Sequence, residues 1–346
     1  MPSCLKCGAE LAVNEEGIAP VLCDRCAGHA TSRARRGLNT GTMRDFPATT
    51  ALLAINIAFY LADFLPGLDL AGWGANIGPL TLSGDYYRLV TAGFIHANLL
   101  HIAFNMWCLW SLGRLSERLF GKWQTFLIYL ITGVGGALLS IAYRPVHAEV
   151  GASGAIFGIA GALLAGLKFG NLSVSAFEKR NIISSMVFFV GINFALGTGA
   201  FGFGGNIDNM CHLGGFVTGL LIGLPLGAFA QHHKLYQLFT ILITTGVLFY
   251  AGRELVQTHA TESQLYRAQR AMRQQDFTSA VPLLEKYIAA KPDDERGLVL
   301  LGAAYALTGD KDKAIVTYEK ILKIDPESET AQQALHALRE SNSSSK

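Results

Sequence analysis

Two groups of residues have the types and spacing that chemistry needs. Ser153 stands in Gly151-Ala152-Ser153-Gly154, and His212 opens the segment His212-Leu213-Gly214-Gly215. A serine hydroxyl is a poor nucleophile until a base takes its proton, and a neutral imidazole is suited to that task near pH 7. Upstream lie His96, His101 and Asn105. His101 and Asn105 are four apart, so they share one face of a helix. With the Ser153 backbone N–H, which lacks an intrahelical partner at a helix start, they are candidate donors to the oxyanion formed when a hydroxyl adds to a carbonyl. The second group is N-terminal. Cys4, Cys7, Cys23 and Cys26 form two CxxC pairs, a spacing that folds two knuckles around one tetrahedral Zn²⁺. Four thiolates fill the shell, so this zinc is expected to be structural, with His29 a bystander. Two disulfides are the competing reading, which a reducing cytoplasm disfavours.

The elements that position these residues are apolar. The 346-residue chain is 51% hydrophobic and only 16% charged, with mean hydropathy +0.32. A soluble domain carries about 25% charged residues, so a wholly soluble chain is excluded. A net charge of +2 gives no basic field for nucleic acid. Seven apolar runs stand out: Ala48–Leu65, Ile95–Leu112, Trp123–Tyr143, Ala152–Leu167, Ile182–Leu196, Met210–Ala230 and Leu235–Gly252. None contains Lys, Arg or Glu, and Asp63 is their one acid. A bilayer span takes about 17–25 such residues. The fourth and fifth runs are short, which suggests passage through protein rather than lipid.

Lys and Arg concentrate before the first run (Arg33, Arg35, Arg36, Arg44), after the second (Arg114, Arg118, Lys122) and after the fourth (Lys168, Lys179, Arg180). The positive-inside rule then places the N-terminus in the cytoplasm. Seven spans would carry the C-terminus to the other side, and no cleavable signal peptide is expected before the first run. This topology puts Ser153, His212, His101 and Asn105 at similar depth in the outer half of the bilayer, on three alternate helices. Gly154/Gly158 and Gly215/Gly219/Gly223 are small-xxx-small rows, which permit close helix crossing. Such a crossing would bring Ser153 Oγ to the His212 imidazole. Asp208, four residues before His212, is expected to cap a helix with Asn209 rather than complete a triad. Cys108 and Cys211 read as packing residues.

Residues 260–340 look soluble and helical, with a period of 34. Ala268, Ala280 and Pro292 recur as Gly302, Ala314 and Pro326, and Asp276 recurs as Asp310. Small residues let paired helices approach, and the prolines end helices. The region resembles two tetratricopeptide repeats with a capping helix from about Ser328. Two repeats are few for an independent array, so a protein partner or the membrane core is expected to support them.

GASGAIFG, HANLLHIAFN and HLGGFVTG, in that order on alternate membrane helices, resemble the signatures of the rhomboid intramembrane serine proteases. The resemblance covers about residues 48–252. It implies Ser153 as nucleophile, His212 as general base, and an oxyanion site from His101, Asn105 and the Ser153 N–H, with His96 nearby and Gly151 preceding the nucleophile by two. It implies a six-helix core plus a seventh transmembrane helix, and substrates that are transmembrane proteins, cut with no cofactor for catalysis. Many members carry a Trp-Arg pair in a long first loop; here Tyr87-Arg88 stands at that place, which puts the loop anchor in question.

The expected fold is therefore an all-α polytopic membrane protein. A zinc-ribbon module (1–30) and a basic linker (31–47) precede the rhomboid-like domain (48–252), and helical repeats (260–340) follow it. It is expected in a bacterial cytoplasmic membrane, N-terminus inside and repeats outside. Two other functions compete. One is a catalytically silent scaffold that binds membrane helices. The other is a proton or solute path, which would call for an inverted repeat of the polar motifs that this sequence lacks.

Overall fold

The structure, a computed structural model, describes residue 10 and residues 41–343 apart from 171, 173, 199–206 and 229–233. Cys4, Cys7, Cys23 and Cys26 lie outside the described residues. Among the described residues the chain is helical, with no pairing beyond isolated bridges.

Helix α1 is Pro47–Ala62, α2 Leu99–Phe120, α3 Lys122–Tyr143, α4 Ser153–Phe169, α5 Ala176–Gly197, α6 Asn209–Ala228 and α7 Lys234–Thr258. Each apolar run falls on one of them. By length and composition α3, α5, α6 and α7 can each cross a bilayer, and α2 joins them if counted with the helical turns at Arg88–Phe94, from which it bends by 94°. Helices α1 and α4 are shorter. Pro47 starts α1 at a position where its missing N–H costs nothing. The buried Glu117 of α2 accepts from the Ala48 and Thr49 N–H groups at 3.0 and 2.8 Å and from Thr49 Oγ1 at 2.8 Å, so one carboxylate serves the orphan donors of α1.

The centre of the bundle is α4. Apart from Phe157, Lys168 and Phe169 its 17 residues are small or aliphatic, and 13 of the 17 are buried, with α6 and α3 packed most closely on it. At about 1.5 Å per residue it is only ~26 Å long, and a length below the bilayer's ~30 Å core suits a helix enclosed by protein. Helix α5 departs from that expectation. It starts six residues before the apolar run, with Ser175 capping the Glu178 N–H and Lys179 and Arg180 in its first turns. Met186 is its one buried residue among those described, and Val187 and Phe188 face outward. The short run reflected a charged first turn, not burial in protein. Helix α7 also presents an outer apolar face, including Leu242 and Phe249, and touches α3 through a Gln124–Gln237 hydrogen bond of 3.0 Å.

The crossing of α4 and α6 is backbone on backbone. A Cβ added at Gly215 would collide with Gly154, at Gly219 with Gly158, at Gly223 with Ala162 and at Gly227 with Gly166. The contact recurs every four residues, which is the ridge period of a helix. Side-chain-free ridges let dispersion contacts and close approach hold two helices where no water-driven force acts between them.

The α1–α2 loop, residues 63–98, folds back on the bundle end. Arg88 is buried at its centre, donating to the Gly72 and Ala75 carbonyls at 3.1 and 2.9 Å and pairing with Asp85 at 3.2 Å. Tyr87 stacks on Trp73, with ring centroids 5.2 Å apart. Tyr87-Arg88 thus anchors this loop.

After α7 come α8 Ala260–Arg273, α9 Phe277–Ala290, α10 Glu295–Thr308, α11 Lys311–Ile324 and α12 Glu329–Ser343. Asp276 and Asp310, one period apart, cap α9 and α11 by accepting the Ser279 and Lys313 N–H groups. Ala268, Ala280 and Ala314 are fully buried, and a Cβ at Gly302 would lie 2.8 Å from the Tyr318 ring. The 34-residue period is thus a packing period. Helix α8 docks on the α1–α2 loop, where Arg270 Nη1 meets Asp85 Oδ1 at 3.0 Å. Two guanidiniums therefore share Asp85. Burial pushes its carboxyl up, but Arg270 and Arg88 outweigh that and hold it below the usual carboxylate range.

Candidate active site

The start of α4 carries Ser153, and the first turn of α6 carries His212. The Ser153 Oγ to His212 Nε2 distance is 2.8 Å. In the neutral tautomer with its proton on Nδ1, the imidazole accepts the serine hydroxyl at Nε2. The buried Nδ1 has no hydrogen-bond partner among the described residues. Asp208 is engaged elsewhere, accepting from the Met210 and Cys211 N–H groups at 3.0 Å each and bonded to Ser140 Oγ. It is a helix cap, and among the described residues no third side chain hydrogen-bonds the free ring nitrogen of the pair. The His212 ring is oriented by packing instead. Phe157 stacks on it with centroids 4.2 Å apart and planes 8° from parallel, and Phe194 lies edge-on at 6.4 Å.

Phe157 escaped the sequence reading. It lies four residues after Ser153, so the helical repeat places it on the serine's own face, and that spacing was the available signal. Phe194 and Asn193 come from α5 and carried no signal of this kind.

Gly151 sits at φ +120°, a region that favours glycine. Its N–H donates to the Ala92 carbonyl at 2.9 Å. An added Cβ would lie 2.7 Å from His101 Nε2 and 3.9 Å from Asn105 Nδ2. Both side chains therefore lie against the backbone that leads into Ser153. Asn105 Nδ2 donates one proton to the His101 carbonyl at 3.0 Å, which leaves its second N–H for another acceptor. His96 lies behind His101, ring centroids 5.1 Å apart, and its Nε2 faces the Ala152 N–H at 3.4 Å.

These groups border a cleft of about 690 Å³ lined by His101, Asn105, Ser153, Phe157, Asn193 and His212, among others. His96 is not part of its lining. The cleft lies at the bundle end where Ala97 and Asn98 of the α1–α2 loop, residues 147–150 of the α3–α4 connection, and Ile207 and Asp208 before α6 line it. The repeats dock at that same end, through the α1–α2 loop. A hydroxyl hydrogen-bonded to an imidazole, beside N–H donors in a cleft of this size, can add to a carbonyl and stabilise the resulting oxyanion. No cluster of metal-ligating side chains occurs among the described residues.

Fold and site together define an all-helical integral membrane protein with a serine–histidine pair in a cleft at one end of its bundle. A Rhomboid domain profile matches residues 83–229 and a Tetratricopeptide repeat profile residues 271–338. The putative rhomboid protease YdcA of Bacillus subtilis is 30% identical over 52% of this chain and 88% of its own. Rhomboid protease AarA of Providencia stuartii is 31% identical over 51% of this chain and 70% of its own. Rhomboid protease GluP of Bacillus subtilis is 30% identical over 74% of this chain and 49% of its own. The chain belongs to the rhomboid family. It spans about half the length of GluP and of RHOMBOID-like protein 1 of Arabidopsis thaliana, 49% and 46% respectively.

Proposed function

We propose that this protein is an intramembrane serine endopeptidase that cuts transmembrane segments of other membrane proteins. The observation that carries the proposal is the 2.8 Å contact between Ser153 Oγ and His212 Nε2 within the cleft. Ser153 Oγ attacks the scissile carbonyl of a segment bound in the cleft as His212 Nε2 takes its proton. The Ser153 N–H, the free N–H of Asn105 and His101 receive the oxyanion, while His96 supports His101 from behind. The imidazolium then protonates the leaving amine. Water, deprotonated by the same ring, releases the acyl group. Phe157, stacked on the ring, holds its orientation toward the hydroxyl, which is the orienting part of what a carboxylate does in a triad.

The flanking regions are assigned supporting roles. Cys4, Cys7, Cys23 and Cys26 hold a structural Zn²⁺ on the cytoplasmic side of a bacterial membrane. Seven spans place the cleft and the repeats on the outer side. The repeats, docked beside the cleft, engage the soluble part of a substrate or a partner protein.

The test is cleavage of a single-span reporter in proteoliposomes. Wild type cleaves it, and Ser153→Ala falls to background while still co-purifying with the reporter. An intact reporter that co-purifies with both forms would instead indicate a silent scaffold, and ion flux a transport path.

A further inference from the structure

The α3–α4 connection, residues 144–152, holds an acid that the dyad does not use. Glu149 is 6% exposed. Its backbone pairs in both directions with Asn76 of the α1–α2 loop, at 3.0 Å from the Asn76 N–H and 2.9 Å to the Asn76 carbonyl. Asn76 Nδ2 donates to Glu149 Oε2 at 2.9 Å and to the Ala137 carbonyl at 3.2 Å. Thr81 Oγ1 donates to Asn76 Oδ1 at 2.8 Å, which fixes that amide's orientation. The other carboxyl oxygen, Oε1, faces Cys211 Sγ at 3.5 Å. Cys211 adjoins His212, and Glu149 lies two residues before Gly151 and four before Ser153. One carboxyl group thus touches the loop over the bundle end, the approach to the nucleophile and the turn that carries the base.

We infer that Glu149, in its protonated form, is a positioning residue for the dyad, clamping the segment that leads to Ser153 onto the α1–α2 loop and onto the His212 turn. The inference rests on the protease reading above. The groups facing this carboxyl are Asp208 just before α6 and Cys211 within it, Asn76 and Thr81 from the α1–α2 loop, and, through Asp208, Ser140 of α3. None is a cation. Burial pushes the Glu149 carboxyl up to about 7, Asn76 and Cys211 opposing and the Asp208 carboxylate reinforcing. Below that value the group is neutral and can sit beside Asp208. Above it two carboxylates face each other across Cys211, and although Asn76 still donates to Glu149, the repulsion between the two acids works against the hold on the His212 turn.

The sign follows directly. Activity that depends on the neutral acid is present below about pH 7 and lost as pH rises through it. The full-length protein in proteoliposomes is assayed for kcat and KM on the single-span reporter across acid, neutral and alkaline pH. Wild type is expected to show an alkaline limb with a midpoint near 7. Glu149→Gln, close in shape to the neutral acid, keeps the activity and loses that limb. Glu149→Ala loses about 10- to 100-fold in kcat with little change in KM, as expected when reacting groups are displaced by a fraction of an ångström. Infrared difference spectra of the wild type supply a measurement that needs no variant to fold. A protonated-carboxyl C=O band must disappear with the same midpoint. Absence of that band well below the midpoint overturns the inference. So does a cleaving wild type whose alkaline limb survives unchanged in Glu149→Gln, in which case the protease reading stands. A wild type that cleaves nothing at any pH overturns both.

Discussion

Substitution of Gly215 by alanine tests whether the dyad depends on backbone contact between α4 and α6. The added methyl would lie 2.7 Å from the Gly154 carbonyl carbon and 3.2 Å from its Cα, with the carbonyl oxygen nearer still. Ordinary contact begins at about 3.4 Å, and helix backbone cannot swing aside as a side chain can. Relief must come from opening the crossing by at least about 0.7 Å, the shortfall at the carbonyl carbon, and by more to clear the nearer oxygen. Gly154 adjoins Ser153, and Gly215 lies one turn beyond His212, so the opening falls on the Ser153–His212 contact. A 2.8 Å bond stretches to roughly 3.5 Å or beyond, outside the ~2.6–3.2 Å reach of a general base. Misplacement of this size costs on the order of 10- to 100-fold in kcat. Overpacking costs about 1–3 kcal/mol, which leaves room for the variant to fold. The control is Gly246→Ala on α7, where an added methyl meets nothing within 4 Å; it should retain wild-type kcat. Both variants are assayed on the single-span reporter and checked by thermal unfolding. A folded Gly215→Ala enzyme with wild-type kcat would refute the argument that close crossing sets the dyad.

Two further outcomes are expected. Arg270→Ala removes a pair whose arginine is 56% exposed and whose aspartate is 15% exposed, so global stability should change by no more than about 1 kcal/mol. Amide exchange in α8 should nevertheless accelerate, because its docking on the α1–α2 loop loses a charged contact. Since Asp85 is held below its usual 3.8, the wild-type contact should persist from neutral pH down to about that value and fail only as pH falls further; exchange rates followed against pH check this. At the N-terminus, the purified full-length protein is expected to carry one zinc per chain by elemental analysis, and a Cys4→Ser/Cys23→Ser double variant none. A metal-free wild type isolated without chelator would remove the zinc assignment.

Much of this architecture was legible because it is written in local periods. Uncharged runs mark helices, since the backbone must satisfy itself where water is absent. The four-residue glycine rows announced the α4–α6 crossing, because only residues without side chains let two helix backbones touch. The 34-residue period announced paired helices, and the repeated aspartates fell on their caps. His101 and Asn105 were grouped by spacing alone.

Tertiary structure decided what lies between distant segments. Phe157 stacks on the His212 ring, whereas Asp208, the acid nearest His212 along the chain, is occupied by backbone N–H groups and Ser140. Glu149 meets Asn76 across more than seventy residues, and Arg270 meets Asp85 across 185. Helix α5 faces outward although its run is short, since its first turn carries charges that a hydropathy count discards. Periodicity reports which face of an element is apolar, a property each segment has by itself. A hydrogen bond or ring stack between segments depends on relative placement, and that is fixed only when the whole chain packs.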